Sequence, residues 1–283
     1  MVYAVLKSGG AIAAPDSMPS FGQPHTLIFF RCSTYEMKIT EKHAKSILSP
    51  SKIYDYVVNP YVGCQHACSY CYARFMKRFT GHKEPWGDFV DIKINAPDLL
   101  IKEIKRKKMG TVWVSGVCDP YQPLEAKYKL TRRCLDILAQ NNWPVFIQTR
   151  SPLVLRDLDI FKKSNNIEVG LSVTTANDEI RKIFEPYAPT VEKRLNAIET
   201  LHQNGIRTYV MIAPILPEAE NLIKILAGKV DYIIIDRMNY FHADKIYEKN
   251  EWRDKNTYEY FNLIGSKIVK DCASLGIECR LAY

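Results

Sequence analysis

The chain has 283 residues, 47% of them hydrophobic and 25% charged, with 39 Lys and Arg against 31 Asp and Glu for a formal charge of +8. That hydrophobic fraction excludes a disordered chain, and no apolar run reaches the ~20 residues that a membrane-crossing helix needs. Its eight cysteines lack paired spacing, and no basic segment with an apolar stretch behind it opens the chain, so a reducing, cytoplasmic setting is expected rather than a disulfide-stapled secreted one.

Residues 1–50 are broken by Gly, Pro and Ser and read as an N-terminal extension, with 46–51 as a linker. This extension is expected to pack against the mouth of the following domain or to stay partly mobile. From Tyr56 onward, short β-rich runs alternate with amphipathic stretches. The main strands are expected at 56–62, 111–117, 145–149, 167–173, 207–213 and 232–236, with a short extra strand at 89–94. Several are apolar on both faces, as in Tyr232-Ile233-Ile234-Ile235, which suits buried parallel strands under helices. Helices are expected at 131–141, at 152–163 behind Pro152, and at 189–204 ending before Gly205. The basic run Lys105-Arg106-Lys107-Lys108 closes another apparent helix just before Met109-Gly110. Cations in a last turn offset the negative end of the helix dipole, so the run reads as a solvated helix end rather than a binding patch. A helix near 258–275 and a strand at 277–281 are expected to close the open side of the sheet. Cys272 and Cys279 have no metal-pair spacing and read as buried free thiols.

The repeated β/α pattern holds six main strands, too few for a closed eight-fold barrel. In parallel α/β architectures the chemistry sits in loops at the strand C-termini. Directly after the first strand comes Gly63-Cys64-Gln65-His66-Ala67-Cys68-Ser69-Tyr70-Cys71-Tyr72. Cys64, Cys68 and Cys71 form a C-x3-C-x2-C triplet whose three thiolates can hold three corners of a [4Fe–4S] cluster. Electron-transfer clusters take four cysteines, and no fourth stands nearby; the iron left open is a place for a substrate to bind. Zinc is the rival reading, but it wants four ligands, and neither His66 nor His82 has ligand-like spacing.

At this point the chain resembles the radical S-adenosylmethionine (SAM) enzymes, in which an open (β/α)6 partial barrel holds the cluster and SAM. The stretch Asn59-Pro60-Tyr61-Val62-Gly63-Cys64 into Tyr70-Cys71-Tyr72-Ala73-Arg74 is similar to the branch related to spore photoproduct lyase. So are Ser115-Gly116-Val117-Cys118-Asp119-Pro120-Tyr121-Gln122-Pro123, residues Thr149 to Asp157, and Ala213-Pro214-Ile215-Leu216-Pro217. The matching segments run from about Tyr54 to Asp236.

The resemblance implies a role for several residues. Tyr70 approaches the adenine or shields the cluster. Ser172 bonds the SAM carboxylate or ribose, or else is a satisfied strand-end serine. Ala213 offers backbone groups to an adenine edge, or packs tightly. Arg150 stands where relatives commonly carry Lys and pairs with the SAM carboxylate through a planar fork. Gly116-Val117-Cys118 replaces the Gly-Gly-Glu segment of other radical SAM enzymes. Cys118 is the candidate catalytic residue: a hydrogen-atom donor, a lining of the SAM pocket, or a buried space-filler. As it lies two residues from Gly116, it is expected to face the same cavity.

Three departures limit transfer of the lyase reaction. Gly116 stands where the lyase carries its hydrogen-returning cysteine, little chain is left for DNA-gripping C-terminal elements, and no stripe of aromatic and basic residues suited to stacking bases is apparent. The expected function is therefore reductive SAM cleavage at a [4Fe–4S] cluster for hydrogen abstraction from an unidentified substrate. Lesion repair or modification of nucleic acid is the alternative within that class, and a structural or redox metal-binding protein without turnover the alternative outside it. An electron donor such as flavodoxin or ferredoxin is the implied partner, with no membrane involved. The expected domain division is an extension at 1–50, a core barrel at 51–240 and a closing segment at 241–283.

Overall fold

The structure, a computed structural model, describes residues 37–282; the expectations for residues 1–36 lie outside the described residues. Its strands are β1 (Lys38–Lys42), β2 (Leu48–Pro50), β3 (Tyr56–Val58), β4 (Tyr61–Val62), β5 (Phe89–Lys93), β6 (Val112–Val114), β7 (Val145–Thr149), β8 (Ile167–Ser172), β9 (Arg207–Ile212), β10 (Tyr232–Ile235) and β11 (Glu278–Leu281). The main sheet runs β11-β10-β9-β8-β7-β6-β3-β2 and stays open. Every pair in it is parallel except β2 on β3. The six expected main strands thus form a partial barrel, and β11 extends it as a further parallel edge strand beside β10 rather than closing it.

The β-rich runs form this sheet because both faces are buried. One face, with Val112, Val114, Ile147, Val169, Leu171, Val210, Ile212, Ile233 and Ile235, packs into the main apolar core together with helices such as Leu130–Gln140, Val191–Gln203 and Tyr258–Ser274. The other face carries aromatic residues. Tyr209 stacks on Phe146 at 4.5 Å and on Tyr232 at 5.3 Å. A Cβ on Gly170 would lie 2.0 Å from the Tyr209 ring, so only glycine lets that ring lie across β8. Trp113 and Met211 pack on the same ring cluster and also line the cavity described below, so the cluster supports part of its wall from behind.

Two expectations need correction. The 56–62 strand divides at Asn59-Pro60: β3 joins the main sheet, while β4 pairs antiparallel with β5 in a small separate sheet that also holds β1. Pro60 has no N–H to continue a ladder, and the Asn59 side chain turns to accept hydrogen bonds from Ser115 Oγ (2.7 Å) and the Gly116 amide (2.8 Å). The 46–51 stretch is not a linker but contains β2. Glu103, from the helix Ala96–Ile104, accepts the amides of Ile47 (3.0 Å) and Leu48 (2.8 Å). The basic run follows that helix, and Lys107 donates to the Leu48 carbonyl and lies over the Tyr56 ring. Among the described residues, no helix is long and apolar enough to cross a membrane.

Candidate active site

The cysteine loop begins at Gly63, whose φ of +92° and a Cβ position only 2.3 Å from the Phe89 carbonyl oxygen admit glycine alone. The loop is tied down along its length. The Gln65 amide donates to Gln122 Oε1 (3.0 Å), Gln122 Nε2 donates to the Gly63 carbonyl (3.2 Å), and the Ser69 amide donates to the Phe184 carbonyl (2.8 Å). Within the loop, His66 is buried with Nε2 3.3 Å from Asp119 Oδ2. Asp119 in turn accepts from Thr149 Oγ1 (2.6 Å) and from the Arg150 amide (2.7 Å). Burial would raise the Asp119 carboxyl, but His66 and these donors hold it down at about 2. A single buried carboxylate therefore joins the cysteine loop to the end of β7.

Cys64, Cys68 and Cys71 are all free and open onto one cavity of about 430 Å³. Burial pushes their thiols up, Cys68 to about 12, and Cys68, Cys71 and Cys118 add to the effect at Cys64. Arg150 opposes the rise at Cys68 and Cys71, and Arg74 does so at Cys71. Thiolates in such a site need further positive charge, which is what a metal centre brings.

The donor set fits a cluster better than zinc. His82 has both ring nitrogens on carboxylates, Glu84 at 3.1 Å and Asp91 at 2.9 Å, and His66 lies between Asp119 and the Tyr187 carbonyl. Neither histidine is available to complete a tetrahedron with the cysteines. Among the described residues, no three His, Cys, Asp or Glu side chains are grouped as for a single ion. Zinc draws its thiolates to ~2.3 Å from one centre, whereas a cubane holds each on its own iron.

The opposite walls come from the C-terminal ends of four strands, where parallel α/β folds place their chemistry: Ser115 to Asp119 after β6, Gln148 and Arg150 from β7 and just past it, Met211 and Ala213 at β9, and Asp236 after β10. Tyr70 lines the cavity with its hydroxyl donated to Glu185 Oε1. Arg150 Nε lies 3.3 Å from Glu185 Oε1, its Nη2 donates to the Tyr70 hydroxyl (3.1 Å), and its guanidinium sits over the Tyr70 ring. Glu185 also accepts from Thr174 Oγ1 (3.0 Å), and Arg194 Nη2 lies 2.5 Å away. Burial alone would raise this carboxyl; Arg194 and Arg150 hold it at about 2. At Asp236 burial wins, so its carboxyl is raised despite donation from Asn239 and the Arg237 amide.

Of the residues singled out from the sequence, the cavity brings together Cys64, Cys68, Cys71, Tyr70, Cys118, Arg150 and Ala213. Ser172 is not on its wall: it is fully buried behind Gln148, which donates to its hydroxyl (3.0 Å) and faces the cavity instead. Gly116 and Cys118 both line the cavity although β6 ends at Val114, so a loop and not strand alternation places them there. The Cys118 thiol, which burial raises to about 12, lies 3.2 Å from Ser115 Oγ and 3.4 Å from the Tyr61 carbonyl. Sequence reasoning missed Gln148, Asp236, the His66–Asp119 pair and Glu185. Gln148 and Asp236 had a signal, a polar residue closing an apolar strand. Glu185 had none, since it lies in the connection between the helices Asp178–Phe184 and Val191–Gln203.

Comparison with known proteins gives a consistent result. The model of a family described as the radical SAM superfamily matches residues 58–226. An uncharacterized protein of Methanocaldococcus jannaschii is 37% identical over 235 residues, 82% of this chain and 88% of its own length. A protein of Pseudomonas phage M6 described as a radical SAM Nα-GlyT isomerase is 22% identical over 163 residues, 57% of this chain and 33% of its own. Among solved structures, spore photoproduct lyase complexed with a dinucleoside spore photoproduct matches with a TM-score of 0.65 at 14% identity, covering 87% of this chain and 82% of that one.

Proposed function

The chain belongs to the radical SAM superfamily, and we propose that SAM is cleaved in the 430 Å³ cavity, at a [4Fe–4S] cluster held by Cys64, Cys68 and Cys71, to begin hydrogen abstraction from a substrate bound in the same space. The observation that carries this reading is the meeting of three thiols from one loop at the C-terminal ends of the parallel strands, with both nearby histidines engaged elsewhere. When bound, the cluster supplies an electron to the sulfonium of SAM, which releases a 5′-deoxyadenosyl radical able to take a hydrogen atom.

The chain's own residues hold and shield that chemistry. Gln65, Gln122 and the His66–Asp119 pair keep the cysteine loop against the barrel. Arg150, fixed by Glu185 and Tyr70, lines the cavity as the partner for a carboxylate. Gln148, Asp236 and the backbone at Ala213 offer the polar groups that orient the amino-acid and ribose ends of SAM. Trp113, Met211 and Tyr72 supply the apolar wall that keeps water from a reactive intermediate. The electron comes from a carrier such as flavodoxin or ferredoxin, and the setting is cytoplasmic.

Anaerobic reconstitution with iron and sulfide tests this function. The wild-type protein is expected to take up four irons per chain and, with dithionite and SAM, to form 5′-deoxyadenosine. Replacing Cys64, Cys68 or Cys71 by Ala removes one of three ligands and abolishes both, while Cys272→Ala leaves both intact. Stoichiometric zinc binding with no 5′-deoxyadenosine would return the protein to a structural metal-binding role.

A further inference from the structure

The cavity rim carries a row of exposed rings that begins at Tyr72, in the apolar wall, and runs outward beyond the proposed cofactor site. Phe75 stacks on Tyr72 with centroids 6.5 Å apart and planes at 23°, Tyr72 stacks on Tyr240 at 6.3 Å and 23°, and Tyr240 stacks on His242 at 5.9 Å and 4°. Phe79 meets Phe75 edge-on at 6.3 Å, and Phe241, beside Tyr240, is 87% exposed. Tyr72 and Tyr240 also line the cavity, so the row leads into it. Large apolar rings scattered singly on a surface need no explanation, but a contiguous aligned set beside a cavity marks a binding surface.

The charge around the row has one sign along its first segment. From Tyr72 to Lys83 the chain contains Lys77, Arg78 and Lys83 and no Asp or Glu, while a fourth cation, Arg74, turns inward to donate to the Cys68 carbonyl (3.2 Å). Tyr72, Phe75 and Phe79 fall at i, i+3 and i+7, which puts them along one side of the two short helical turns Tyr72–Met76 and Lys77–Thr80. Arg237 reaches the cavity from the second segment, with its guanidinium 4.6 Å from the Tyr258 ring centroid. This row is not apparent in the sequence, which shows no aromatic-and-basic stripe suited to stacking bases. Half of the row is local, and the other half is brought to it by the loop after β10.

We propose that this row is a stacking platform for the unpaired bases of a single-stranded nucleic acid, which leads a base towards the cavity. Ring faces bind bases of any identity by stacking, and flanking cations neutralise the phosphates. A duplex hides its base faces, so the platform needs a single strand or an extruded base. An acidic protein would be drawn by the cations but gains nothing from rings held nearly parallel. The proposal deepens the functional reading, since it names the substrate class of the same cavity, and rests on that reading only for the chemistry and not for the binding.

Fluorescence anisotropy with a labelled oligothymidylate of about 12 nucleotides, within the site size of single-strand binders, tests it on the reconstituted full-length protein. Wild-type protein is expected to bind the single strand more tightly than a duplex of the same length, with affinity falling as salt rises. Phe75→Leu and Tyr240→Leu each weaken binding roughly tenfold, as expected for one lost base stack, while Tyr240→Phe keeps the ring and the affinity. Lys77→Ala with Arg78→Ala lowers the salt slope. Equal or tighter binding of the duplex, leucine variants that bind like wild type, or polyglutamate competing as well as unlabelled oligothymidylate each overturn the platform. Assay of 5′-deoxyadenosine in the same samples separates the two proposals. Protein that cleaves SAM but ignores the oligonucleotide refutes the platform alone, whereas protein that binds it through the rings but never cleaves SAM supports the platform and refutes the radical function.

Discussion

Glu125 and Glu185 are both fully buried, and each takes a tyrosine hydroxyl and an arginine, yet they do different work. Glu125 accepts from Tyr61, from Arg156 Nη2 (2.7 Å) and from the Thr131 and Arg132 amides at the start of the helix Leu130–Gln140. Its neighbour Asp157 takes Tyr121, Arg132 and Arg156. None of Tyr61, Tyr121, Glu125, Arg156 or Asp157 lines the cavity, so this network closes on itself and braces one helix start against the next β/α unit. Around Glu185 the same chemistry is left open on one side. Tyr70 and Arg150 turn towards the cavity, while Thr174 and Arg194 hold the carboxylate from behind. Burial and ion pairing alone do not identify a functional carboxylate. What separates the two is whether a member of the network still has a face towards open space.

Substituting each glutamate by glutamine should sharpen this contrast most. Both changes leave buried guanidinium charge uncompensated, so each should cost about 3–5 kcal/mol of stability in urea unfolding. Only Glu185→Gln should also weaken SAM binding, measured on folded, reconstituted protein. A matching loss of SAM affinity in Glu125→Gln would erase the distinction.

The acid limb gives a somewhat smaller effect. The Glu185 carboxyl is lowered from 4.5 to about 2 in the folded protein. Its stabilising contribution is therefore complete above about pH 4.5 and lost as pH falls through about 2. At 1.36 kcal/mol per pKa unit the contribution is about 3 kcal/mol. Glu185→Gln should flatten the fall in unfolding free energy across that window; an unchanged limb would show that Glu185 is not held by its arginines.

Smaller again is the effect of Arg150. With Arg150→Ala, SAM should bind about tenfold more weakly, the value of a charge-assisted hydrogen bond, and Arg150→Lys should lose less. Iron content should stay at the wild-type level in both, because no ligand is removed. SAM affinity unchanged in Arg150→Ala would reduce the residue to a brace, like Arg156.

The smallest change is expected at Cys118, which lines the cavity. Cys118→Ser keeps a hydroxyl near Ser115 and should lower SAM cleavage mildly if the thiol only lines the pocket. If the thiol returns a hydrogen atom, cleavage stays intact and product formation stalls. Wild-type product yield with an identified substrate would remove Cys118 from the catalytic residues.

The sequence by itself determined the cysteine loop, the parallel α/β class and most strand positions. Those features are local: three cysteines within eight residues, and apolar runs whose burial on both faces shows in composition. It also determined where the loop would lie, because strand C-termini carry the chemistry in such folds. Only the tertiary structure decided the rest. The strand expected at 56–62 divides because Pro60 interrupts the ladder and Asn59 answers to the 115–116 loop, which lies more than fifty residues away. Ser172 gave way to Gln148 because the Gln148 side chain reaches across from the neighbouring strand and covers its hydroxyl. Glu185 reached the site from between two helices, and the rings of 72–79 met those of 240–242 across most of the chain. Such contacts join residues far apart in sequence, and no local periodicity records them.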